Sequence, residues 1–102
     1  MKKVFISGPV TGLEYDQVVK KFNAVEQKLL DMGYQVFNPV SFVKPSDDWK
    51  TAMKKCLRTL SICDSICMLK GFESSKGAVI EFNIACDLDY EIMFEENLKI
   101  AA

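Results

Sequence analysis

The stretch Ser75-Lys76-Gly77-Ala78-Val79-Ile80-Glu81 follows an apolar run, Ser65-Ile66-Cys67-Met68-Leu69, and opens a pattern of helical spacing. Together the two segments read as a strand, a short loop and a helix. Ser75 is a good N-cap, and Gly77 removes a side chain from the first turn. The unpaired backbone N–H groups of that turn then face outward, where the helix dipole favours an anion such as a phosphate. Glu81 lies four residues beyond Gly77, about one turn or ~6 Å of rise, roughly the span from a sugar 5′-phosphate to its anomeric carbon. A carboxylate there would reach C1′, and the positive helix end is expected to keep it ionised, as a nucleophile requires. An ordinary capped helix with Glu81 on a solvated face has the same spacing.

Upstream, Val4-Phe5-Ile6 reads as a strand stopped by Ser7-Gly8-Pro9. Val18, Phe22, Val25, Leu29 and Leu30 then recur at helical spacing up to Met32-Gly33, with Gly33 as the C-cap. Tyr34 to Phe37 reads as a second strand, broken by Asn38-Pro39. Ser46-Asp47-Asp48 offers an N-cap for a helix from Trp49 to about Ile62. After the helix from Lys76 to about Leu88, Glu91-Ile92-Met93-Phe94 reads as the last strand. The alternation β-α-β-α-β-α-β predicts an α/β fold with a parallel sheet of four to five strands, right-handed crossovers and helices on both faces. Residues 1–94 read as a single domain and 95–102 as a loose C-terminal tail.

The 102 residues are 49% hydrophobic, enough for one compact domain with a modest core. A net charge of −1 argues against DNA or RNA as the partner and leaves room for a small phosphorylated ligand. The N-terminal apolar run is too short for a signal peptide, and no stretch approaches the ~18 apolar residues of a membrane span. The protein is therefore expected in the cytoplasm, with no membrane partner. Cys56, Cys63, Cys67 and Cys86 lie within apolar or helical patterns and read as reduced thiols. The chain has no His, so the Cys63-x-x-x-Cys67 spacing does not read as a zinc site.

In parallel sheets ligands bind beyond the carboxyl ends of the strands, near the reversal of strand order. Three loops lie at that edge: Ser7 to Asp16, Asn38 to Asp48, and Lys70 to Ser75. Ser7-Gly8-Pro9-Val10-Thr11-Gly12 has the residue types of a phosphate or sugar loop without a P-loop or dinucleotide fingerprint, and a tight strand-to-helix connection uses the same residues.

Taken in order, Ile6 to Gly12, Val36-Phe37-Asn38-Pro39, Trp49 and Met53 ahead of Cys63-Asp64, and Gly71 to Ala78 with Glu81 resemble a small domain of unknown function found in bacteria and phages. That domain belongs to the nucleoside 2-deoxyribosyltransferase-like superfamily, related to the 2′-deoxynucleoside 5′-phosphate N-hydrolases. The resemblance implies a flavodoxin-like three-layer sandwich, cleavage of an N-glycosidic bond in a nucleoside or nucleotide, no metal or organic cofactor, and a homodimer or higher homo-oligomer. By the same resemblance Glu81 matches the nucleophile that forms a covalent glycosyl-enzyme. Ser75 and Gly77 match the groups that hold the 5′-phosphate. Ser7, Gly8, Pro9, Val10, Thr11, Gly12 and Asn38 match the loops around sugar and base.

Two positions differ from the family pattern. Phe5 stands where relatives carry a Tyr whose hydroxyl orients the nucleophile, and Cys56 stands where many carry a catalytic Asp. These differences motivate an alternative, a catalytically weakened protein that binds a nucleotide to sense or sequester it. Trp49 and Phe72 are candidates to stack on a base, and Trp49 serves equally as a core anchor for its helix. Glu14, Asp16, Asp47, Asp48 and Glu73 are loop acids at the same edge, and Asp64, at the opposite edge, reads as structural.

Overall fold

A computed structural model describes residues 1–98. The elements are β1 (Lys3–Ser7), α1 (Tyr15–Asp31), β2 (Gln35–Phe37), α2 (Trp49–Leu60), β3 (Ser65–Met68), α3 (Lys76–Asp87) and β4 (Glu91–Phe94). Short 3-10 turns occupy Pro39–Ser41, Phe72–Ser74 and Glu95–Asn97. The sheet is parallel throughout with strand order β2-β1-β3-β4, so the chain reverses its direction of travel between β1 and β3. This is the expected three-layer flavodoxin-like arrangement with four strands.

Alternation along β1 divides the core. Val4 and Ile6 pack with Val18, Phe22, Val25 and Leu29 of α1, together with Cys67 and Leu69. Phe5 faces the other way and packs with Cys56 and Leu60 of α2, Ile66 and Met68 of β3, and Ala78 and Ala85 of α3. The burial of each large side chain contributes about 1.5–3 kcal/mol. Cys63 lies in the second layer and Cys67 in the first, so the C-x-x-x-C spacing points its thiols to opposite faces of the sheet.

Both ends of the helices follow local chemistry. Asp48 caps α2 by accepting from the Thr51 N–H at 2.7 Å, and the Ser75 hydroxyl caps α3 by accepting from the Ala78 N–H at 3.3 Å. Helix α1 stops in a Schellman motif: Gly33 takes a φ of +93°, its N–H reaches the Leu30 carbonyl, and Tyr34 N–H reaches that of Leu29. Asp89 ends α3 in the same way at φ 58°, with Tyr90 N–H bonded to the Ala85 carbonyl. Asp64 is structural as read, since its Oδ1 accepts from the Lys3 N–H at 3.1 Å.

The segment read as a loose tail begins as a fixed one. Glu95–Asn97 form a turn, Glu95 pairs with Lys21 and accepts from the Lys70 N–H at 2.8 Å, and Leu98 packs on the α1 core. Residues 99–102 of that tail lie outside the described residues.

Gly8 sits where the backbone leaving β1 crosses β3. A Cβ built on it would lie 2.6 Å from Leu69 Cβ, and Leu69 N–H is held by the Ser7 carbonyl at 2.8 Å. The obstructing atom is the root of a buried side chain, which moves only with its backbone. Gly8→Ala is therefore expected to cost about 2 kcal/mol or more, read as a lowered urea midpoint. An unchanged midpoint would show that the crossing relaxes freely.

Candidate active site

A cavity of about 490 Å³ opens at the carboxyl edge of the sheet, beside the β1/β3 reversal. Its size suits a small-molecule ligand. The loop after β1 contributes Gly8, Val10 and Thr11, α1 contributes Tyr15, Val18 and Phe22, and the loop before α2 contributes Val43, Lys44, Pro45 and Asp47. Trp49, Met53 and Cys56 of α2 form one wall, and Ser75, Gly77, Ala78 and Glu81 at the start of α3 form the floor.

Glu81 is 5% exposed, so the solvated-face reading of its spacing does not hold. The Ser7 hydroxyl donates to its Oε1 at 2.6 Å, and the Cys56 thiol is its other polar neighbour. Burial pushes the Glu81 carboxyl up to about 7, against the lowering effect of the Ser7 and Cys56 contacts. The expectation that the helix end keeps it ionised is thereby corrected: loss of hydration outweighs the local dipole. The same burial, with Glu81 beside it, pushes the Cys56 thiol up to about 12, so it stands as a neutral group. Phe5 is wholly buried in the α2–α3 layer, and the hydroxyl that reaches Glu81 comes instead from Ser7, two residues on along the same face of β1.

At the first turn of α3 the Ser75 hydroxyl serves the Ala78 N–H, and helix geometry leaves the N–H groups of Lys76 and Gly77 without carbonyl partners. Gly77 has a packing role as well: a Cβ on it would lie 2.9 Å from Met53 Sδ and 3.7 Å from Trp49 Nε1. Trp49 lines the cavity while 40% exposed, so it is a wall residue more than a core anchor. The Lys76 ammonium lies 4.6 Å from its ring centroid.

Other residues expected at the site lie elsewhere. Asn38 is 3% exposed and fully engaged: its Nδ2 donates to Asn23 Oδ1 at 2.9 Å and Glu26 Oε1 at 3.0 Å, and its Oδ1 accepts from the Val40 N–H at 3.0 Å. It ties the turn after β2 to α1 and does not line the cavity. Phe72 packs on Phe82 and Phe94, with ring centroids 5.2 and 6.2 Å away, and faces the core beside β4. Pro9 borders a separate hollow along α1, and Gly12 forms the outer turn of its loop at φ +82°.

Of the loop acids, Asp47 alone lines the cavity, and the Lys55 ammonium at 2.6 Å and the Lys44 N–H at 2.9 Å hold its carboxyl below the usual range. Tyr15, Lys44 and Met53 were not singled out as site residues by the sequence reading. An aromatic residue at the start of α1 and a lysine in the loop before α2, both at the carboxyl edge of the sheet, are the signals that could have found the first two.

The family model described as a domain of unknown function (DUF4406) matches residues 2–94 of the chain. Among solved structures, the 2-deoxyribosyltransferase of the psychrotolerant bacterium Bacillus psychrosaccharolyticus aligns with a TM-score of 0.69, covering 90% of this chain and 70% of its own, at 20% sequence identity. At that identity the likeness is one of fold. No curated protein matches the chain. No helix among the described residues is long and apolar enough to cross a membrane.

Proposed function

The chain belongs to the DUF4406 family of domains of unknown function, and from the site it carries we propose that it cleaves the N-glycosidic bond of a nucleotide or nucleoside through Glu81. The observation that carries this reading is a single buried carboxyl, 5% exposed, on the floor of the 490 Å³ cavity and one helical turn from two unpaired backbone amides. The fold shared with a 2-deoxyribosyltransferase supports the same substrate class. In the reaction, a Glu81 carboxylate oxygen attacks C1′ as the C1′–N bond breaks, and the base leaves with the electron pair and takes a proton from solvent. Water then attacks the glycosyl ester, giving the free sugar or its phosphate and restoring the carboxylate, or a second base accepts the sugar instead. The Lys76 and Gly77 amides, the Ser75 hydroxyl and the Lys76 ammonium would hold a 5′-phosphate, and Trp49 and Tyr15 would flank the base.

One observation favours a second reading, a nucleotide-binding protein with weakened chemistry. A carboxyl pushed up to about 7 is only partly ionised near neutrality, and its neighbour at position 56 is a neutral thiol. Incubation with a panel of nucleosides and 5′-monophosphates separates the two, with free base followed by chromatography and binding by thermal shift. Base release supports the enzyme, a raised Tm without release supports the binder, and neither effect rejects both. We also take the protein to assemble as a homodimer or higher oligomer, since Val10 (44% exposed) and Trp49 (40%) leave apolar surface at the cavity mouth and Leu13 (55%) is exposed beside the hollow along α1. Light scattering after gel filtration tests this.

A further inference from the structure

Ser7 closes β1 beside the reversal of strand order, and both its ends are fixed. Its carbonyl accepts from the Leu69 N–H at 2.8 Å, and its hydroxyl donates to Glu81 Oε1 at 2.6 Å. The side chain is 1% exposed, so water does not compete for the one proton the hydroxyl can give. A short bond from a neutral donor to a carboxylate is among the stronger hydrogen bonds, and it favours the ionised form of the acceptor. The other polar neighbour of Glu81 acts in the same direction but more weakly. Cys56, facing it from α2, is a weak donor. Tyr15 of α1 and Lys44 and Asp47 of the loop before α2 are the other titratable groups lining the cavity, and Asp47 is occupied by Lys55 and the Lys44 backbone.

Resting on the reading of Glu81 given above, we infer that Ser7 is the positioning residue of this site, holding the Glu81 carboxyl in one orientation and favouring its ionised form. Phe5, which precedes it on the same face, seals the layer beneath and contributes no polar atom. Ser7 thus has no proton to donate to a ligand: its one proton is committed to the carboxyl at 2.6 Å.

The test follows the Glu81 side-chain carboxyl by ¹³C NMR in glutamate-labelled protein across pH, with Glu81→Gln assigning the resonance. In Ser7→Ala the midpoint is expected to rise by about one pH unit or more, and the pH–rate profile of base release to move by the same amount. Ser7→Thr, which restores a hydroxyl, should return the midpoint to its native position. A midpoint unmoved in Ser7→Ala overturns the inference, even if that variant melts at a lower temperature, because a purely structural role changes stability without changing this titration. If the native protein releases no base from any substrate, the catalytic reading fails, and the carboxyl titration still decides the role of Ser7.

Discussion

Glu81→Gln is expected to lower release of free base by about a thousandfold or more while leaving nucleotide binding in place. The amide matches the carboxyl in shape, and its oxygen can still accept from the Ser7 hydroxyl now 2.6 Å from Oε1. It cannot form a glycosyl ester, so the step that breaks C1′–N loses its nucleophile. The phosphate contacts proposed at Ser75 and Gly77 lie a turn away, and the aromatic wall at Trp49 is untouched, so a ligand-induced rise in Tm should persist. Base release by the variant at the native rate would remove Glu81 from the mechanism.

The second large effect concerns stability against pH. The Glu81 carboxyl moves from its ordinary value of 4.5 to about 7 on folding, chiefly because burial penalises its charge. Between those values the native state holds a proton that the unfolded chain has released. Stability therefore falls as pH rises, by about 1.4 kcal/mol per unit for this one group, for a total on the order of 3 kcal/mol above pH 7. Glu81→Gln has no charge to bury. Urea midpoints for the two proteins should lie close together near pH 4 and separate in favour of the variant toward pH 8. Asp47, Asp48 and Glu95 are held below their usual range and give the opposite slope at acid pH, but both proteins share them, so the difference isolates Glu81. Parallel stability curves would show that the carboxyl is better hydrated than its 5% exposure indicates. Under the proposed mechanism the same ionisation is expected to make base release rise with pH through about 7.

Features set by a few neighbouring residues were legible in the sequence. Asp48 and Ser75 cap their helices as read, Gly33 stops α1, and the four strands fall within a residue or two of their expected places. Local chemistry decides each of these. The environment of Glu81 was not legible, because its neighbours Ser7 and Cys56 lie 74 and 25 positions away in the chain and only the docked layers bring them together. Asn38 and Phe72 misled for a related reason. Each lies in a loop at the ligand edge, yet Asn23 and Glu26 on α1 engage the first, and an aromatic cluster with Phe82 and Phe94 draws the second inward. Loop position gives the edge of the sheet; the direction of a side chain depends on what it meets there.

The bond between Ser7 and Glu81 joins the first strand to the last helix. A chain that has assembled β1, β2 and β3 without docking α3 has no cavity floor, and its Glu81 is an ordinary hydrated acid. The reactivity proposed for Glu81 would thus be withheld until α3 is docked. The titration of one carboxyl then reports on the docking of α3 against β1 and α2, with an ordinary midpoint where that docking has not occurred and a raised one where it has.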